Sequence, residues 1–139
     1  MKVVIIGGVA GGATAAARIR RLDEQAEIIV FERTGFISYA NCGLPYYIGD
    51  VIQNKADLTL QTPESFWKRF RITMKVQHEV LAIKKKKKSV SVRNLVTGET
   101  FEEGYDKLLL SPGAKAVLPE LPGVDSKKIF TLRTVEDTF

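Results

Sequence analysis

A short apolar run, Lys2 to Ile6, enters the cluster Gly7-Gly8-Val9-Ala10-Gly11-Gly12, continues through an alanine-rich stretch, and is answered by a second apolar run, Glu27 to Phe31, that stops at Glu32. Strand, glycine turn, helix, strand is the order of the unit that holds the ADP half of a dinucleotide. The glycines let the backbone turn tightly at the carboxyl edge of the first strand. Gly12 lets the helix sit close on the sheet, so that its amino terminus turns free N–H groups towards a pyrophosphate. Glu32 follows about 20 residues later, where a carboxylate accepts ribose hydroxyls and disfavours a 2'-phosphate. The site is therefore read as one for FAD or NAD rather than NADP. Val9 stands where the fingerprint has its second glycine, so the reading rests on context, against the alternative of a glycine-rich turn in some other α/β domain.

With 139 residues, 45% of them hydrophobic, the chain suffices for one domain with its own core and is too short for two nucleotide domains. No signal peptide or membrane span is visible, which predicts a cytoplasmic protein with no membrane partner. Cys42 has no second cysteine to pair with, which excludes an internal disulfide and a cysteine-based metal cluster; it is either a packing residue or a reactive thiol. The formal charge of +5 raises the question of a nucleic-acid partner. Much of it comes from Lys84 to Lys88, between the strand-like segments Val80 to Ile83 and Val90 to Val92, and reads as a solvated hairpin end that guards an edge strand. No aromatic residues interleave with the lysines, so no nucleic acid is expected.

The first helix, Gly11 to Leu22, is predicted to pack Gly12, Ala15, Ala16, Ile19 and Leu22 on the sheet. Thr14, Arg18 and Arg21 share the opposite face, where the arginines either clamp a second phosphorylated ligand or are solvated helix charges. In the segment Arg33 to Asp50, Ser38 or Asn41 is placed to cap a short helix beginning near Cys42, which would set the sulfur beside a helix amino terminus. Thr62-Pro63-Glu64 is a helix start with Thr62 as cap, and that helix carries Phe66, Trp67 and Phe70 as core residues. Ile72 to Val76, His78 to Ile83, Ser89 to Leu95 and Glu99 to Glu103 are predicted strands of a small antiparallel meander, with His78 a structural histidine rather than a metal ligand. Tyr105 to Leu110 reads as another buried parallel strand, ending at Ser111-Pro112-Gly113, where Gly113 again permits close approach of backbone to ligand. The fold class is α/β, a Rossmann-like parallel sheet with helices plus the small meander. Residues beyond Gly113 make an irregular exit, and the chain is expected to stop partway through its architecture.

Ser38-Tyr39-Ala40-Asn41-Cys42-Gly43-Leu44-Pro45-Tyr46 resembles the active-site segment of one family, the FAD-dependent pyridine nucleotide-disulfide oxidoreductases, in the single-cysteine branch of coenzyme A-disulfide reductases and NADH-dependent coenzyme A persulfide reductases. Phenylalanine is usual there at the place of Tyr39. Gly7 to Gly12 with Glu32, Leu60 to Glu64, His78-Glu79-Val80, and Tyr105-Asp106 leading to Ser111-Pro112-Gly113 extend the resemblance over essentially the whole chain. It implies that Gly7, Gly8, Gly11, Gly12, Glu32, Arg33, Val80 and Gly113 hold FAD. Cys42 is then the redox nucleophile, and Thr14, Arg18, Arg21, Ser38 and Asn41 contact coenzyme A. The implied reaction passes electrons from NADH or NADPH by way of the flavin to a mixed disulfide between Cys42 and coenzyme A. It further implies that residues 1–139 are the amino-terminal part of a discontinuous FAD domain. The NAD(P)H-binding and dimerisation domains of the complete homodimer would lie outside this chain. Two alternatives stay open: an oxidase or peroxidase cycling Cys42 through sulfenic acid, and a non-catalytic flavin-binding fragment.

Overall fold

The computed structural model describes residues 1–139. Four parallel strands, β1 (Lys2–Ile6), β2 (Glu27–Phe31), β5 (Thr73–Lys75) and β9 (Lys107–Leu110), form one sheet in the order β5-β2-β1-β9. Helices α1 (Ala10–Leu22) and α3 (Pro63–Phe70) cover one face of it. The other face is covered by an antiparallel sheet of β6 (His78–Lys84), β7 (Ser89–Asn94) and β8 (Thr100–Gly104). A two-stranded ribbon, β3 (Ile37–Tyr39) with β4 (Thr59–Gln61), and the short helix α2 (Leu44–Ile48) lie between α1 and α3 in the chain.

This three-layer arrangement explains why β1 and β2 are apolar without alternation, since each strand is buried on both faces. Val3, Ile5, Ile28 and Val30 point to the helices and pack with Ala13, Ala16, Phe66 and Ile72. Their neighbours Val4, Ile29 and Phe31 point the opposite way, onto Val90 and Val92 of the meander. Changing any of these to a polar residue would open one of the two cores.

Several sequence expectations are corrected. Ile72 to Val76 does not belong to the meander: β5 pairs in parallel with β2, and the left-handed Gln77 (φ 55°) then turns the chain out of the parallel sheet into β6. The strand Tyr105 to Leu110 is not buried, because β9 is the outermost strand of its sheet; Leu110 is 58% exposed. Leu22 does not pack on the sheet; it is 70% exposed in the last turn of α1, while Ala13 is buried instead. Trp67 is also exposed, whereas Phe66 and Phe70 do pack in the core, because an eight-residue helix presents only one narrow face to the sheet.

Other local readings hold. Thr62 caps α3, accepting from the Ser65 N–H at 3.2 Å while its own N–H donates to Ser65 Oγ at 2.9 Å. The lysine run forms an exposed turn between β6 and β7, with Lys88 left-handed and Lys84 paired to Glu102. His78 is held by Val76, whose carbonyl accepts from Nδ1 at 2.7 Å, and its ring packs by Phe31 and Phe101. No helix is long and apolar enough to cross a membrane.

Candidate functional site

Adjacent strands β1 and β9 end together, with the Ser111 N–H donating to the Ile6 carbonyl at 2.8 Å. From here the chain leaves β1 through α1 towards β2 and leaves β9 into the tract after Ser111, and it is outside the carboxyl ends of such strands that open α/β sheets form their ligand crevice. Gly7 turns there with φ +96°, and a Cβ on it would lie 1.9 Å from the Ser111 carbonyl oxygen. A Cβ on Gly12 would lie 1.7 Å from the Gly7 carbonyl oxygen, so α1 reaches the strand end only because that atom is missing. No side chain caps α1 and its first turn has no acidic residue. Its first N–H groups, at the positive end of the helix dipole, face outward without intrahelical partners.

Glu32 is buried at the end of β2 and ties the turn together. Its Oε2 accepts from the Gly8 N–H at 2.7 Å, and its Oε1 from the Thr34 N–H and hydroxyl at 2.9 Å each. Oε2 keeps a second lone pair for a ligand hydroxyl. Two adjoining hollows share Glu32, Arg33 and Pro112: one is lined also by Gly7, His78, Glu79 and Val80, the other by Val9, Gly11, Tyr39, Asn41, Gly113 and Arg133. Together they make a cleft along the carboxyl ends of β1, β2 and β9. A diphosphate fits the bare helix end, and a ribose the free face of Glu32.

One wall of this cleft was not expected from the sequence. Arg133 and Thr134 return to it from the end of an exposed tract, and Arg133 Nε donates to the Ala114 carbonyl at 3.2 Å. Glu136 Oε1 accepts from the Gly35 N–H at 2.8 Å, and Val135 is fully buried with Tyr39, Leu44 and Leu58. Nothing local marks these residues: Arg133 reaches back 19 positions to Ala114, and Glu136 about a hundred to Gly35.

Cys42 is exposed. Its side chain is not part of a core formed by residues 1–139. Neither Ser38 nor Asn41 caps a helix: Asn41–Gly43 form a tight 3-10 turn after Ala40, and α2 starts only at Leu44, where Pro45 fits the first turn. The sulfur therefore sits in the turn before the helix rather than at its amino terminus. Its neighbour Asn41 lines the cleft, whereas Ser38, left-handed at φ 46°, lines a separate groove with Thr14, Gln61, Arg69 and Phe70. Thr14 and Ser38 are thus brought together between α1 and α3. Arg18 and Arg21 stand exposed on α1 outside both hollows and form no ion pair.

Arg20, between them, has a different task. Its guanidinium donates to the carbonyls of Phe70, Asp23, Glu24 and Arg71 at 2.6 to 3.2 Å, tying the ends of α1 and α3 together. Arg69 joins the groove from α3. Helical spacing points to a face, but it cannot separate an arginine that braces backbone from one left free.

Fold and cleft define a dinucleotide-binding α/β domain with an exposed cysteine beside the ligand crevice. The chain belongs to the pyridine nucleotide-disulphide oxidoreductases, whose family model matches residues 1–138. It is 51% identical over 137 residues to a coenzyme A disulfide reductase of Staphylococcus aureus (strain Newman), covering 99% of this chain and 31% of that relative. It is similar to the crystal structure of reduced CoADR-RHD from Bacillus anthracis, with TM-score 0.94 and 53% identity over 99% of this chain and 25% of that one. A NAD-dependent persulfide reductase from A. fulgidus is similar at TM-score 0.91 and 32% identity, over 99% of this chain and 26% of its own. The chain spans about a third of the length of the curated relatives it matches.

Proposed function

We propose that residues 1–139 are the amino-terminal part of the FAD-binding domain of a cytoplasmic, homodimeric enzyme that reduces coenzyme A disulfide or coenzyme A persulfide with NADH or NADPH. The observation that carries the reading is the lone thiol: Cys42 is exposed, and the residue before it lines the dinucleotide cleft. The coenzyme A disulfide reductase similarity, over nearly the whole chain, supports the substrate class.

In this reading Gly7, Gly8, Gly11, Gly12, Glu32, Arg33, Val80 and Gly113 hold FAD. The turn at Gly7 and the bare start of α1 take its diphosphate, Glu32 a ribose, and the hollow beside Val80 the adenine. The chemistry FAD supplies when bound is two-electron transfer from NADH or NADPH. Thr14, Arg18, Arg21, Ser38 and Asn41 bind the coenzyme A portion. Free arginines suit this task because their guanidinium groups meet phosphates with paired, charge-assisted hydrogen bonds. Phosphate anchoring at a distance orients the reacting sulfur. The Cys42 thiolate attacks one sulfur of coenzyme A disulfide, forming the Cys42–S–S–coenzyme A bond as the other coenzyme A leaves as thiolate.

Intact mass of the complete protein after coenzyme A disulfide treatment is expected to show a coenzyme A adduct that dithiothreitol removes. Cys42→Ser is expected to lose the adduct and the disulfide reduction while keeping its flavin and, because Cys42 is exposed, its stability to within about 0.5 kcal/mol. A serine variant with full activity would refute the assigned role.

A further inference from the structure

We propose that the Tyr39 hydroxyl donates a hydrogen bond to the diphosphate of the dinucleotide, making this side chain a ligand-positioning residue of the cleft. The inference rests on reading that cleft as a dinucleotide site.

Tyr39 is 7% exposed, with its ring packed in the cluster of Leu44, Leu58 and Val135. Packing of that kind needs only an aromatic ring. Yet the hydroxyl makes no hydrogen bond to any protein group, and a phenol sealed away without a partner would be costly. No side-chain oxygen or nitrogen sealed from solvent lacks a partner in this structure, so the hydroxyl is not sealed. The hollow that Tyr39 lines is the one containing Val9, Ala10, Gly11 and Arg133. Tyr39 lines neither of the other two hollows described above, and the part of the cleft where α1 begins is the opening assigned to this oxygen.

The chemistry of that place selects the acceptor. Uncapped N–H groups of α1 and the Arg133 guanidinium make it suited to an anion, and the phenol adds a third kind of donor. Burial, and then the negative charge of Glu32, push the Tyr39 phenol above its ordinary range. Glu136 and Asp137 push in the same direction, and Arg133 opposes them. The group therefore stays protonated and can donate at any ordinary pH. Its ring is gripped between β3, which pairs Tyr39 with Thr59, and the returning Val135, so little freedom is lost when the bond forms.

Tyr39→Phe keeps the ring and removes the donor. In the complete enzyme stripped of flavin, fluorescence titration is expected to show FAD bound about tenfold more weakly by this variant, the low end for a hydrogen bond to a charged acceptor. ADP, which carries the diphosphate, is expected to lose a similar factor, and adenosine none. The melting temperature of the ligand-free variant should match the parent's. Equal FAD and ADP affinities in the two proteins would overturn the proposal while leaving the cleft a dinucleotide site. A matching loss for adenosine would overturn it too, since packing rather than the diphosphate would then be responsible. If the parent itself failed to take up FAD, the reading beneath the proposal would fall first.

Discussion

The cleft at the start of α1 and the outer face of the same helix are built on opposite terms. In the cleft, backbone meets backbone: the absence of a Cβ at Gly12 and Gly7 brings three segments within van der Waals distance, and Glu32 closes the turn with three hydrogen bonds. On the outer face, Thr14, Arg18 and Arg21 are exposed. The first is formed before any ligand arrives; the second, if it takes coenzyme A as proposed, is a set of side chains whose order would come from the ligand. Mutations should therefore damage folding at the first and binding at the second.

The largest effect is expected from Gly12→Ala. Its methyl would be driven into the Gly7 carbonyl, which is backbone and cannot rotate away, so α1 must lift from the sheet. A loss of about 3 kcal/mol in urea unfolding is expected, toward the upper end of overpacking costs, together with loss of flavin from the purified enzyme. A variant of normal stability would break the contrast at its stronger side.

Next comes the double substitution Arg18→Ala with Arg21→Ala in the complete enzyme. Removing each guanidinium from its phosphate should cost roughly 1.5 to 3 kcal/mol, read as a higher KM for coenzyme A substrates. Flavin reduction by NAD(P)H should be unaffected, and stability should change by no more than about 0.5 kcal/mol. Unchanged substrate kinetics would make these arginines ordinary solvated helix charges.

The smallest effect tests the returning segment that links the two regions. Asp137 Oδ2 accepts from the N–H groups of Thr134 and Arg133 at 2.7 Å each, and these bonds hold its carboxyl below the ordinary range. A depressed folded value means that the carboxylate stabilises the segment above the unfolded value, near 3.8, and that this contribution disappears as pH falls through the folded one. Asp137→Asn is expected to cost at most about 1 kcal/mol, as for loss of a cap, and to raise amide exchange at Val135 at neutral pH. The difference between the variant and the parent should begin to shrink only below about pH 3.8 and vanish as pH falls through the depressed folded value. A difference that persisted in acid would assign the effect to packing instead.

Legibility in the sequence follows the range of the interactions. The glycine turn, Glu32, the Thr62 cap and the double-sided strands are readable because each depends on neighbours within a few residues or on one repeating pattern. The strand after α3 is misplaced by sequence alone because Ile72 to Val76 satisfies both an antiparallel and a parallel partner; only β2, more than forty residues away, decides between them. Cys42 shows the same limit at the site, since its spacing is compatible with packing and with reactivity, and only the folded chain shows that its side chain is exposed.

By itself, then, the sequence determined an α/β dinucleotide unit and singled out the thiol, because turns, periodicity and composition are local properties of a chain. Tertiary structure alone decided that Arg20 braces two helices while Arg18 and Arg21 stay free, and that Arg133 and Val135 return to wall the cleft. It also decided that the Tyr39 ring is buried while its hydroxyl finds no protein partner. Each of these depends on which distant backbone carbonyl or apolar surface lies within a few ångströms, and residue order does not encode that proximity until the chain has packed.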